Sequence, residues 1–304
     1  MLSQRKLAPC LPALLLASLL GGCSIQHFVV NRAADALARG GDVYARDEDV
    51  PLVGAASPFG LKLMESLLAE APQHQGLLLA LARGYTQYSY AYVENPADQL
   101  EEHDVAGAYA ARHRAGRLYL RARDYGLRSL AVTHPDFATA LRHDPQAALK
   151  AVRREEVAKL YWTATAWGAA ISLNKDDATL VADLPSVLAL AARALELDEA
   201  FDQGALHTLY ISLIMSGTGP EAQRIAEARR HFDRAMRLTD AQMVAPLVTY
   251  AESVCVPTAD RAGFEQLLDQ ALRIDPAVHP QWTLANSLFQ QRAQWLRAHT
   301  DQLF

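Results

Sequence analysis

The stretch Ala271-Leu272-Arg273-Ile274-Asp275-Pro276 decides the fold, because it reads as a helix ending and because it recurs along the chain. The same pattern stands at Ala140-Leu141-Arg142-His143-Asp144-Pro145, Ala194-Leu195-Glu196-Leu197-Asp198-Glu199 and Ala235-Met236-Arg237-Leu238-Thr239-Asp240, with a looser copy at Leu67-Leu68-Ala69-Glu70-Ala71-Pro72. A proline cannot continue a helix, and a short polar residue before it competes for the backbone. Apolar stripes at helical spacing lead into these endings. One is Phe264, Leu267, Leu268, Ala271 and Leu272, started by Asp260; another is Leu184, Val187, Leu188, Ala191 and Leu195, behind Asp183 and Pro185. A third is Ile225, Ala228, Phe232 and Ala235, whose opposite face carries Arg224, Arg229, Arg230 and Arg234.

The starts of the five endings are 73, 54, 41 and 36 residues apart. The last two intervals approach the 34-residue tetratricopeptide period, so the chain reads as degenerate helical repeats with insertions. A helix pair cannot bury its apolar stripe alone; pairs stack and leave a concave surface or central cavity. The alternative is an irregular helical bundle whose helix ends are alike by chance. Alanine and leucine dominate, both strong helix formers, and neither Asn-Gly nor Asp-Gly occurs to mark a hairpin. The expectation is an all-α fold of stacked antiparallel helical pairs, about twelve helices between residues 25 and 302. They form one domain over residues 23–304.

Residues 1–22 read as an address. Arg5 and Lys6 precede an apolar run from Leu7 to Leu20, too short to cross a bilayer as a permanent helix. Leu20-Gly21-Gly22-Cys23 resembles a lipobox, in which the cysteine thiol takes diacylglycerol before cleavage. Cys23 is thus the candidate lipidation site; the alternatives are an ordinary cleaved signal or an uncleaved anchor. Several acyl chains hold a protein stably where one is marginal. Ser24 rather than aspartate after the cysteine points to the periplasmic face of the outer membrane. Cys10 leaves with the signal and Cys23 is consumed, so Cys255 has no partner and reads as a small buried residue in Val254-Cys255-Val256.

A net charge of −5 without a concentrated basic face argues against nucleic acid. No phosphate-binding GxxxxGK[ST] or GxGxxG, no HExxH or CxxC and no GxSxG occurs, so no cofactor, metal site or nucleophile is expected. His103, His113, His134 and His143 read as surface residues. Glu94 to Asp104 (ENPADQLEEHD) reads as a solvated acidic loop. Ala106 to Val132 reads as one long helix, with Arg112, Arg114, Arg117, Arg121 and Arg123 facing solvent, that loop or a partner's acidic patch.

The aromatics are the remaining signal. Tyr85, Tyr88, Tyr90 and Tyr92 crowd one helix end, and Leu160 to Gly168 (LYWTATAWG) carries no charge. Such a segment is apolar nearly all round and belongs inside. Its rings either fill the core or line a cavity, offering an apolar face and one donor to an amphipathic ligand. The candidate cavity-lining residues are Phe59, Tyr85, Tyr88, Tyr161, Trp162 and Trp167.

Six strings in order behind the signal carry a family resemblance: Pro58-Phe59-Gly60-Leu61-Lys62, Leu118 to Tyr125 (LYLRARDY), Leu160 to Gly168, Ala182-Asp183-Leu184-Pro185, Ala194 to Asp198 and Gln291-Arg292-Ala293-Gln294-Trp295-Leu296. Together they resemble TatT, the T component of tripartite ATP-independent periplasmic (TRAP) transporters. The resemblance implies a homotrimer with a hydrophobic cleft or pore in each protomer, a periplasmic solute-binding protein as partner, and a hydrophobic ligand. It brings no catalytic motif. Two functions are then open: a transport-associated binding protein, or a purely structural scaffold of an envelope assembly, with an enzyme third.

Overall fold

A computed structural model describes residues 29–304; the signal segment, Cys10 and Cys23 lie outside them. Among the described residues there is no strand, and ten helices have at least eleven residues, against the dozen expected. In chain order the elements are α1 (29–39), α2 (Gly41–Ala45), α3 (Val50–Glu70), α4 (Gln75–Ser89), α5 (Asn95–Glu101), α6 (Val105–Ala131), α7 (Phe137–His143), α8 (Pro145–Lys150) and α9 (Val157–Leu173). They continue as α10 (Ala178–Val181), α11 (Leu184–Leu197), α12 (Ala205–Ser216), α13 (Glu221–Leu238), α14 (Ala245–Tyr250), α15 (Arg261–Arg273), α16 (Thr283–Ala298) and α17 (Thr300–Leu303).

The aspartates set these boundaries. Asp49, Asp104, Asp144, Asp177 and Asp260 each accept hydrogen bonds from first-turn backbone N–H groups of the next helix, satisfying donors that have no partner within it. Asp144 does this for α8 while its own N–H closes α7 on the Ala140 carbonyl at 2.8 Å. One aspartate thereby ends a helix and begins another. Asp183 stands at the start of α11 without such a bond and pairs instead with Arg142, 3.4 Å away. The long helix runs over Val105–Ala131, as read from the sequence.

Glu94 to Asp104 differs from expectation. It is helical as far as Glu101: α4 passes through a π turn at Tyr90–Glu94 into α5, and Pro96 lies just after that turn, where the helical register changes. Asp98 pairs with Arg112 of α6 and Arg292 of α16, and Glu101 with Arg112, while Glu101, Glu102 and Asp104 stay exposed.

Stacking runs in chain order. α3 packs on α4, α4 on α6, α6 on α9, α9 on α11, α12 on α13, and α14 on α15. Gly126 of α6 lets α9 come close: a Cβ there would stand 2.1 Å from the Thr163 hydroxyl. A second set of contacts joins every other long element. α4 touches α9, α9 touches α12, α12 touches α14, and α14 touches α16. The Phe289 ring of α16 lies 5.4 Å from that of Tyr90 at the end of α4. These five helices form a closed inner ring, with α6, α11, α13 and α15 outside it. α16 also meets α2 and α3, so the end of the chain returns to its beginning.

Candidate functional site

The inner ring has an unusual local structure at two of its five staves. α4 ends in the π turn Tyr90–Glu94 and α14 in a second π turn, Ala251–Cys255. A π turn inserts one residue into the helical register and re-aims the residues after it, and such turns recur at functional sites. Each places one acid, Glu94 or Glu252, in otherwise apolar surroundings.

Arg292 of α16 holds the second acid. Its Nη2 and Nε donate to the Glu252 carboxylate at 2.6 and 2.9 Å, and its Nη1 reaches Asp98 at 2.7 Å. Asp98 is shared with Arg112 at 2.6 Å, and Arg112 also binds Glu101. The Arg292 guanidinium lies 4.6 Å over the Trp295 ring. The Tyr119 hydroxyl donates to Glu94. His299 and the Trp295 indole N–H both reach Glu102, at 2.7 and 3.4 Å. This polar clasp fastens α16 to α5 and α6 and completes the ring.

Burial pushes the Glu252 carboxyl above its usual range, against the pull of Arg292; burial does the same to Glu94, against the Tyr119 hydrogen bond. Both side chains nevertheless remain partly reachable by water. Asp202 shows the combination more clearly. It is exposed, yet desolvation raises its carboxyl, opposed by the Arg83 charge. The hydroxyls of Tyr90 and Tyr161, both half-buried, are likewise pushed up, mainly by desolvation and then by the charges of Glu252 and Asp202 respectively. In each case desolvation disfavours the charged form of a group that is not fully buried. Asp202 belongs to a run of left-handed backbone, Asp202, Gln203 and Gly204 at φ 44°, 48° and 92°, which leads into α12. Only the glycine adopts this without cost.

The six sequence-predicted aromatics are not brought together. Phe59 sits on the outer side of α3, 74% exposed, in one stripe with Leu52 and Leu63. Tyr85 is buried: its hydroxyl donates to Glu65 at 2.9 Å, and its ring stacks on Tyr125 at 6.0 Å. Tyr88 is half-buried against Tyr92, ring centroids 5.8 Å apart. Trp167 is fully buried in the core with Leu160, Val187 and Leu190, and no protein group accepts from its indole N–H. Tyr161 and Trp162 meet edge-on at 4.9 Å, with Phe201 5.4 Å from Tyr161. Tyr161 thus packs on the core beside Phe201 and within the field of Asp202, while Phe59 faces outward. The readings from composition missed Glu94, Asp202, Glu252, Arg292 and Phe289. Glu252 left one signal, a single acid in the apolar run Val248 to Val256.

Two surface concavities flank these elements. One, of about 480 Å³, lies beside the clasp among Asp98, Glu252, Arg292, Trp295 and Leu303. The other, of about 550 Å³, runs along α6 past Arg117, Leu120, Arg121, Asp124, Tyr125 and Arg128. None of the six aromatics lines either. Among the described residues, no group of three or more His, Cys, Asp or Glu side chains is placed to hold a metal ion. His134 is half-buried and 2.9 Å from Glu156, whereas His103, His113 and His143 are exposed.

The arrangement of α3 through α17 coincides with a family model, the TRAP transporter T-component, which matches residues 46–304. The chain belongs to that family. It is also similar to a Treponema pallidum (strain Nichols) protein, itself uncharacterized, at 32% identity over 266 residues, covering 86% of this chain and 82% of the relative. For this T-component, membership gives association with a TRAP transporter in the cell envelope.

Proposed function

We propose that this T-component is a periplasm-facing lipoprotein that binds a slim amphipathic ligand in the lumen of its inner helical ring and exchanges it with a periplasmic solute-binding protein. The ring of helix contacts carries the reading: α4, α9, α12, α14 and α16 succeed one another around it, and these elements and the turns that join them carry Tyr90, Tyr161 and Phe289 together with the desolvated carboxyls of Glu94, Asp202 and Glu252. Aromatic faces offer apolar contact to a hydrocarbon chain, while the acids and Arg292 offer polar partners to its head. Cys23 holds the protein to the outer membrane through lipid, and the uncovered stripe of Leu52, Phe59 and Leu63 on α3 supports assembly of copies into a trimer.

The test is native mass spectrometry of protein extracted without delipidation, together with solution binding of a fluorescent C16 fatty acid. A stoichiometric amphipathic adduct that Tyr161→Arg excludes without lowering thermal stability supports the lumen. A wild-type protein that binds no amphipathic molecule leaves the structural-scaffold reading in its place. Mass spectrometry of the mature N-terminal peptide tests lipidation, and light scattering tests the trimer.

A further inference from the structure

The arginines of α6 divide into two groups. Arg112 is spent inside the molecule on Asp98 and Glu101, and Arg123 pairs with its neighbour Asp124. Arg114, Arg117 and Arg128 are exposed and have no carboxylate partner among the described residues, in a chain of net charge −5. Nor are they loose. Arg114 lies 5.8 Å over the Tyr88 ring and Arg128 5.4 Å over Tyr125; between them Arg121 lies 5.3 Å over Tyr85, its Nη1 already 3.6 Å from the Glu65 carboxylate and 3.3 Å from the Tyr85 hydroxyl. The three positions are seven residues apart, so stacked guanidinium groups recur about every 10 Å along the helix. Arg117 and Leu120 fill the interval, and the Arg128 Nη2 donates to the Pro72 carbonyl at 3.3 Å. The 550 Å³ groove runs past Arg117, Arg121 and Arg128, with Leu120 and Tyr125 as its apolar part and Asp124, paired with Arg123, on its wall.

Stacking on a ring fixes a guanidinium's plane while leaving its N–H edge free to bind a carboxylate in two-pronged fashion. Arginine and tyrosine beside a small apolar floor are also the side chains that dominate protein interfaces. A concave groove recedes from a flat bilayer, whereas a protein ridge enters it.

We propose that this groove is the docking surface for an acidic ridge of a soluble protein, one presenting carboxylates to Arg117 and Arg128, which lie three helical turns, about 16 Å, apart along one face of α6. This rests on the proposed exchange with a solute-binding protein and names the face through which that protein is held.

The experiment uses the mature chain carrying Cys23→Ser, so that no acyl chain confounds binding, and its transporter's purified solute-binding protein. Biolayer interferometry compares this protein with Arg117→Glu/Arg128→Glu and with a control of equal charge change away from the groove, Arg230→Glu/Arg273→Glu. The groove pair should weaken binding by about thirtyfold or more and flatten its salt dependence, with the control within about threefold. Equal binding by wild type and groove pair overturns the groove while leaving the exchange intact. No binding by wild type overturns the exchange and, with it, this occupant. Capture on phosphatidylglycerol vesicles that requires Arg117 and Arg128, with no such requirement for the soluble protein, assigns the groove to a lipid surface and overturns the proposal.

Discussion

Trp167→Ala separates core aromatics from lumen aromatics by energy. Trp167 has no exposed surface and packs among Leu160, Val187 and Leu190, with the Arg123 guanidinium 5.3 Å over its ring. Burying an indole removes roughly 200–250 Å² from water, and at about 25 cal/mol per Å² the loss is about 4 kcal/mol after allowing for the remaining methyl. An unfilled cavity and the lost cation–π contact add to this, while removing an indole N–H that finds no acceptor returns about 1–2 kcal/mol. The net cost is about 3–5 kcal/mol, or roughly 5–9 °C in melting temperature for a chain of this size. Trp162 is half-buried, so its truncation should cost about half as much. Thermal unfolding by circular dichroism measures both. A Trp167→Ala protein melting within about 3 °C of wild type, or a larger effect at Trp162, refutes the assignment of Trp167 to the core.

Arg292→Met should destabilise by about 2–4 kcal/mol, since it leaves Glu252 half-buried without its cation and Asp98 with Arg112 alone, and hydrogen exchange should rise first in α16. Gly126→Ala should cost about 1–3 kcal/mol in chemical denaturation, because its Cβ would meet the Thr163 hydroxyl and the Thr163 backbone behind it. Burial raises the Glu156 carboxyl, but hydrogen bonds from Thr133, His134 and Lys159 outweigh it and bring it down to about 2. A carboxyl lowered by folding stabilises above the unfolded value and loses that contribution on acidification. Glu156→Gln should therefore be less stable at pH 7 and lose less than wild type between pH 4.5 and 2 in pH-resolved melts. Cys255 is buried and desolvation pushes its thiol up to about 12, so a disulfide reagent at pH 8 should modify it only after denaturant is added.

The fold was legible because its signals are local. Asp260 before the Phe264 stripe specifies both a cap and a buried face within a few residues, and the structure shows both. Glu94 to Asp104 misled because composition registers charge but not the partners charge will find: Arg112 and Arg292, far along the chain, turn an apparent loop into a helix. The site was less legible for the same reason. Trp167 and Tyr161 share one helix and one composition, and only the positions of neighbouring helices send one to the core and the other toward Asp202. Phe59 lies in an uncharged stretch that reads as interior, yet among the described residues nothing covers that side of α3. The clasp joins residues such as Glu102 and Trp295, 193 positions apart, which no window along the sequence sees together.

That separation bears on how the molecule comes apart. In an open array of helical pairs each repeat rests on its neighbours, and an end can fray or be deleted at the loss of one interface. Here the last long helix is a neighbour of the first ones, so removing it strips two interfaces and exposes apolar surface at both ends of the chain. Chain truncation from the C-terminus is then an all-or-none event rather than a graded one, and unfolding should proceed as a single cooperative unit. The closing contacts are also the longest in sequence. Assembly therefore ends with the meeting of residues synthesised far apart in time, and a nascent chain stalled before residue 283 is a hoop left open, its interior bare to the chaperones of the envelope.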